Sequence, residues 1–310
     1  MEKQKIINKI TDLKKKHNAV IIAHNYQRPE IQDIADVLGD SLELSRIAAG
    51  TDAGVIVFCG VRFMAETAAI LSPDKQVLMP DPDAGCSLAD MVTVDRLRQL
   101  KEKHPRAVVV AYVNTSAEVK AEADICCTSA NAAAVVKAVK ETRPFGPNRD
   151  EIIFIPDQNL GHYASSQTGN PLIIWDGFCA VHTVISTGDI DKARRLYPQA
   201  KIIVHGECRP EVAAKADIVG STAGMCKFAK ESSAREFVIG TETDFIYRLA
   251  KDNPGKKFYP LSELSICYDM KKITLKKVLY SLEHLQYRIT IPEDIRCRAK
   301  KAVDKMLEVV

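Results

Sequence analysis

Residues 200–225, AKIIVHGECRPEVAAKADIVGSTAGM, decide how this chain folds, because they are the third occurrence of one pattern. Residues 19–41, AVIIAHNYQRPEIQDIADVLGDS, and residues 107–129, AVVVAYVNTSAEVKAEADICCTS, align with them without a gap. His24, Tyr112 and His205 share one column; Tyr26, Asn114 and Glu207 stand two residues on, Asp36, Asp124 and Asp217 twelve on, and Ser41, Ser129 and Thr222 seventeen on. The spacing between copies is 88 and then 93 residues, too long for a solenoid and suited to a small α/β domain. Each copy opens on a short Val/Ile-rich run, the signature of a strand buried on both faces of a parallel sheet. A helix follows, which Pro29 starts well in the first copy. A second short strand over Ala-Asp-(Val/Ile) then leads to the hydroxyl. The hydroxyls precede further helical patterns, such as residues 42–47, and are expected at N-caps, where free N–H groups and the helix dipole attract anions.

In open parallel sheets ligands bind beyond the carboxyl ends of the strands, and His24, Tyr112 and His205 come just after such strands. A lone His or Tyr there more often packs under a loop; three in one column are hard to explain that way. The expected fold is therefore α/β: three pseudo-threefold-related αβα domains, with small parallel sheets around a central active site. Their expected limits are residues 1–91, 92–184 and 185–270, with residues 271–310 forming C-terminal helices that pack across the domains.

Working outward, each repeat ends on a cysteine after its last strand. Cys86, Cys179 and Cys267 lie 62, 67 and 62 residues beyond His24, Tyr112 and His205, so a threefold arrangement brings three thiolates together. The other cysteines of the nine have plainer settings: Cys59, Cys126 and Cys127 in or beside apolar strands, and Cys226 and Cys297 on helices. Cys208, beside Glu207, is ambiguous. Three convergent thiolates suit zinc or a cubane iron–sulfur cluster. Zinc sites usually show a short local spacing such as C-x-x-C, which these cysteines lack. A [4Fe-4S] cluster normally takes four cysteines, so three leave one iron open, a Lewis acid able to bind a hydroxyl or carboxylate and help water leave. The cluster is the preferred reading.

Composition narrows the class further. With 43 basic and 40 acidic residues the net charge is +3, which points to neither nucleic acid nor a membrane surface. No stretch is apolar enough to span a membrane and residues 1–18 lack the apolar core of a secretory signal, so a cytoplasmic location is expected. Residues 1–17 read as an amphipathic helix. The tail places Leu275, Val278, Leu279 and Leu282, then Ile295, Ala299, Val303 and Met306, at helical spacing.

The motifs HNYQ-PEIQDIADVLGDSLELS, CGVRFMAETA, PD-DAGCSLADM, AYVNTSAEVKAEAD, WDGFCAVH, HGECRPEV, ADIVGSTAGM and CYDMKKITL, in this order and over nearly the whole chain, resemble the quinolinate synthase family. The resemblance implies condensation of iminoaspartate with dihydroxyacetone phosphate, losing phosphate and two waters, to give quinolinate for pyridine nucleotide synthesis. It implies a [4Fe-4S] cluster on Cys86, Cys179 and Cys267, and substrate contacts from His24, Ser41, Tyr112, Asn114, Ser129, His205, Glu207 and Thr222, with Tyr26 and His182 lining the cavity. Glu207, helped by His205, is the expected proton shuttle, and Tyr26 a further catalytic candidate; a structural ion pair of Glu207 with Arg209 is the plainer alternative. The family also implies a functional link to an aspartate-oxidising enzyme that supplies the imine. Rival readings are another [4Fe-4S]-dependent hydroxy-acid dehydratase and a non-catalytic metal-containing anion-binding protein; the latter leaves Glu207, Tyr112 and Asn114 without work.

Overall fold

The computed structural model describes residues 1–142, 146 and 149–309. Its strands are β1 Ala19–His24, β2 Val37–Gly39, β3 Val55–Cys59, β4 Gln76–Leu78, β5 Ala107–Tyr112, β6 Ile125–Cys127, β7 Glu151–Ile155, β8 Ile173–Ile174, β9 Lys201–His205, β10 Ile218–Gly220, β11 Glu236–Gly240 and β12 Lys257–Pro260. They form three four-stranded sheets of identical order, β2-β1-β3-β4, β6-β5-β7-β8 and β10-β9-β11-β12. All pairings are parallel. The register repeats as well: Ile22 faces Val37, Val110 faces Ile125, and Ile203 faces Ile218. The apolar runs are buried as a doubly covered sheet requires, with β3 and β5 buried throughout.

One repeated device sets this register. The Asp36 carboxylate accepts from Ile21 N–H at 2.8 Å while Asp36 N–H donates to the Ile21 carbonyl at 2.9 Å. Asp124 does the same with Val109 (2.8 and 3.0 Å), and Asp217 with Ile202 (2.7 and 2.9 Å). Each aspartate thus ties the entry of the short second strand to the middle of the first. Each also meets a basic side chain: Lys14 at 2.5 Å, Arg149 at 2.8 Å and Arg194 at 2.8 Å.

One continuous core runs through the first two sheets and the C-terminal helices, whereas the third sheet carries separate clusters. Ile202, Val204 and Val238 belong to one cluster and Ile203, Phe237 and Ile239 to the other, the alternation of a strand covered on both faces. The tail forms the two expected helices, Leu275–His284 and Glu293–Glu308. The first packs on the N-terminal helix Glu2–Lys16 and on β3; the second lies on β6 and on the helices Arg62–Leu71 and Ala117–Ala121, and so ties the first repeat to the second. Among the described residues no helix is long and apolar enough to cross a membrane.

The expected helix caps shift by one residue. Asp40 caps the helix Ser41–Gly50 through Leu42 and Glu43 N–H, and Ser221 caps Thr222–Glu231 through Gly224 N–H. Ser41 and Thr222 are therefore first helical residues rather than N-caps, because the neighbouring Asp40 and Ser221 side chains reach the free N–H groups. Ser129 also does not cap: it lies three residues before the helix Ala132–Thr142.

Candidate active site

The strand order changes direction between the first and third strand of each sheet, and that switch point is where an open α/β sheet leaves a crevice. His24, Tyr112 and His205 are the last residues of β1, β5 and β9, each beside this point. A second repeated contact brings in the cysteine loops. Arg62 N–H donates to the Ala84 carbonyl (2.9 Å), Gln158 N–H to Gly177 (2.7 Å) and Thr243 N–H to Ser265 (3.0 Å), in each case two residues before Cys86, Cys179 or Cys267. Acidic side chains hold two of the loops further: Cys179 N–H donates to Asp157 Oδ2 (3.1 Å) and Cys267 N–H to Glu242 Oε1 (3.3 Å).

All thirteen residues singled out in the sequence line one cavity of roughly 200 Å³: His24, Tyr26, Ser41, Cys86, Tyr112, Asn114, Ser129, Cys179, His182, His205, Glu207, Thr222 and Cys267. Contacts between repeats close it. His205 Nε2 lies 3.2 Å from Ser129 Oγ, and Asn25 Nδ2 donates to Thr222 Oγ1 at 2.9 Å. The hydroxyl of the second repeat thus meets the strand end of the third, and that of the third meets the first, as a cyclic arrangement demands.

The repeat also sets the state of two histidines. Tyr26 N–H donates to His24 Nδ1 (3.2 Å) and Glu207 N–H to His205 Nδ1 (3.3 Å), so both rings carry their proton on Nε2. Burial, reinforced by His205 and opposed by Glu207, pushes His24 down to about 3. Burial and the neighbouring His182 do the same to His205, also to about 3. Both are neutral hydrogen-bond donors at physiological pH.

Glu207 sits where the repeats meet, only 2% exposed. Tyr112 Oη donates to its Oε1 at 2.5 Å, and His182 Nδ1 lies 2.8 Å from Oε2. Burial pushes the carboxyl up, but His182, His205 and the Tyr112 hydroxyl outweigh it and hold Glu207 well below the usual carboxylate range. Its partners are therefore tyrosine and histidine rather than Arg209. The His182 ring stacks on His205 with centroids 4.5 Å apart. Burial and the Glu207 charge keep both Tyr26 and Tyr112 protonated, well above the usual phenol value.

The three cysteines are free thiols that fit an iron–sulfur group better than a single ion. Burial raises Cys86 to about 12 and Cys267 to about 11, while backbone N–H groups of Ala89 and Met270 pull toward the thiolate. Such N–H groups aimed at sulfur suit an anionic cluster ligand, which a bound metal deprotonates outright. Three thiolates on one zinc ion, each at about 2.3 Å, would lie under 4 Å apart. Among the described residues, the one group whose ligand atoms all lie within 4.8 Å is instead Cys179, His182 and Glu207.

Beyond the lining itself, which also takes in Asp40, Ser87, Tyr268 and Asp269, four supporting residues went unmarked in the sequence. Thr241 Oγ1 is 2.5 Å from Tyr26 Oη and 2.8 Å from His182 Nε2; Asn25, Asp157 and Glu242 make the contacts given above. Asp157 and Glu242 each stand two residues past the third strand of their repeat, so counting from that strand as well as from the first finds them. The first repeat has the apolar Val61 at this place.

A three-sheet α/β protein whose repeats converge on three thiols, neutral imidazoles and a buried carboxylate belongs with cluster-dependent enzymes that act on small anions. The chain is a member of the quinolinate synthetase A protein family, which matches residues 8–308. It is 52% identical to the quinolinate synthase of Dehalococcoides mccartyi over 310 residues, all of both chains. It is likewise 52% identical to quinolinate synthase 1 of Methanosarcina acetivorans over 309 residues (100% and 99% of the two chains). With the quinolinate synthase of Thermodesulfovibrio yellowstonii it shares 52% over 305 residues, 98% of each chain.

Proposed function

We propose that the chain makes quinolinate, a step of de novo NAD synthesis, by condensing iminoaspartate with dihydroxyacetone phosphate in the central cavity, with release of phosphate and two waters. The observation that carries this reading is the convergence of all three repeats on that one cavity, in a chain whose full-length relatives bear the name quinolinate synthase. The domains are residues 1–91, 92–184 and 185–270, with 271–310 strapping them together. An aspartate-oxidising enzyme supplies the imine, which is unstable in water.

Cys86, Cys179 and Cys267 would hold the [4Fe-4S] cluster that the family implies, three ligands where four are usual, so that one iron would be open. When bound, the group supplies Lewis-acid chemistry toward a substrate hydroxyl or carboxylate. The chain's own residues do the rest. Both substrates are small polyanions, and Ser41, Ser129 and Thr222 offer them three hydroxyls in the cavity, whereas the Leu42, Glu43 and Gly224 N–H groups at the helix starts are taken by Asp40 and Ser221. The Nε2–H groups of His24 and His205 donate hydrogen bonds, with His24 and Ser41 suited to phosphate. Glu207, ionised at rest, takes a proton from substrate carbon and returns it to a departing hydroxyl. The phenols Tyr26 and Tyr112, both protonated, stabilise developing oxyanions. Asn114 and His182 orient the substrates.

The test is quinolinate formation by the anaerobically loaded protein, with iminoaspartate generated in place and dihydroxyacetone phosphate added. Quinolinate dependent on both substrates supports the proposal. Turnover of hydroxy acids without quinolinate would move the chain to another dehydratase, and ligand binding without any turnover to an anion-binding protein.

A further inference from the structure

The site contains a buried nitrogen that faces a carboxylate oxygen without an aligned hydrogen bond. His182 is 2% exposed and its Nδ1 lies 2.8 Å from Glu207 Oε2, yet this atom makes no aligned hydrogen bond among the described residues. The opposite ring nitrogen, Nε2, is held 2.8 Å from Thr241 Oγ1. A metal-binding imidazole has this arrangement, one nitrogen oriented by an outer hydrogen bond and the other facing a second donor atom, so that an ion can sit between the two. Cys179 Sγ completes the set, since one donor atom each of Cys179, His182 and Glu207 lies within 4.8 Å of the other two.

We propose that the chain without its cluster binds a single Zn²⁺ ion at Cys179, His182 and Glu207, and that zinc and the cluster compete for the protein. Thiolate, imidazole and carboxylate are all zinc donors, at about 2.0–2.3 Å, so a small contraction of the group closes it around an ion with a fourth position left to water. Nitrogen, oxygen and sulfur sites generally hold zinc more tightly than ferrous iron. Binding releases the Cys179 thiol proton to solvent; Glu207 is already ionised. The zinc form has neither a free Cys179 for the cluster nor a free Glu207 for proton transfer, and is inactive. The competition rests on the proposed assignment of Cys179 to the cluster, whereas zinc binding by itself does not.

The experiment starts from the full-length protein prepared without iron, loaded with zinc chloride and desalted. We expect one zinc per chain, with a zinc-edge X-ray absorption spectrum that needs one sulfur and otherwise nitrogen or oxygen. Loss of zinc on desalting, or three sulfurs around it, would overturn the site, and this reading requires no substitution. His182→Ala should weaken zinc at least about tenfold and Thr241→Val about 10- to 100-fold, the usual scale for an outer hydrogen-bond partner. Cys86→Ser and Cys267→Ser should leave zinc affinity unchanged; the reverse pattern would place the ion on the three thiols and overturn the site. Finally, zinc loaded before iron and sulfide should block cluster assembly in the wild-type chain. Unhindered assembly beside a one-sulfur zinc site would overturn the competition, and would trace the failure to the assignment of Cys179 rather than to the zinc site.

Discussion

Two levels of each sheet follow opposite rules. Away from the cavity, level with the middle of the first strand, the repeats are identical in chemistry, with Asp36, Asp124 and Asp217 making the same pair of hydrogen bonds to that strand. At the carboxyl end the equivalent positions diverge: His, Tyr and His end the strands, and Tyr, Asn and Glu follow two residues later. A tripled domain needs its strand register three times, whereas the buried carboxylate of Glu207 occurs once. The cysteines are the exception, since they face the cavity and yet are identical, as three equal ligands of one group would be. Identity away from the cavity therefore reports folding, and identity of the three cysteines is what the proposed shared cluster would require.

The largest effect expected from this contrast is at the cysteines. Cys86→Ser, Cys179→Ser and Cys267→Ser should each abolish the broad visible absorption of the anaerobically purified protein and its content of about four irons and four sulfides. A cluster indifferent to one of them would break the equivalence of the three loops. Next comes Glu207→Gln, which should keep the iron and sulfide but cut quinolinate turnover about 10²- to 10⁴-fold, the scale of general acid–base catalysis. Turnover near wild type would demote Glu207 to a structural partner of Tyr112 and His182.

Much of this was legible in the sequence because the repeat does the work of an alignment. The columns containing His24, Tyr26 and Ser41, together with the trailing cysteines, mark the cavity without any knowledge of how the domains sit. What escaped depends on that placement. Asn25 bonds to Thr222 across 197 residues, and Thr241 joins Tyr26 and His182 from a third direction; no local spacing announces either. The helix caps shifted by one residue because Asp40 and Ser221, beside the marked hydroxyls, are equally good capping residues. The aspartate column was visible as a column, but its role became clear only once its bonds to the first strand were seen.

A smaller effect tests how alike the cysteine loops are. Gly177 occupies the place of Ala84 and Ser265, yet an added Cβ there would meet the Pro156 carbonyl oxygen at 2.4 Å. The second loop therefore approaches its strand end too closely for a side chain that the other two tolerate. Gly177→Ala should destabilise the chain by about 1–3 kcal/mol and lower its iron content by displacing Cys179, since relief of overpacking moves backbone. Thermal unfolding and iron analysis read the two effects. An unchanged iron content would show that the loop yields without moving its cysteine.

The smallest effect lies away from the cavity, where Asp217 accepts from Ile202 N–H and pairs with Arg194. Partial burial pushes its carboxyl up, but Arg194 and the Ile202 N–H outweigh that and leave it below the ordinary carboxylate value. A carboxylate depressed in the folded chain contributes stability above its unfolded value of about 3.9, and loses it as pH falls through the lower folded value. Asp217→Asn should therefore cost about 1 kcal/mol or less at neutral pH, because the pair is partly exposed to solvent. The gap between the two proteins, followed by urea unfolding of the cluster-free chain, should shrink below about pH 4. Turnover of the loaded variant should match wild type. A gap independent of pH would mean that the carboxylate serves as a neutral acceptor would, and a loss of turnover would mean that the two levels of the sheet are not separate in function.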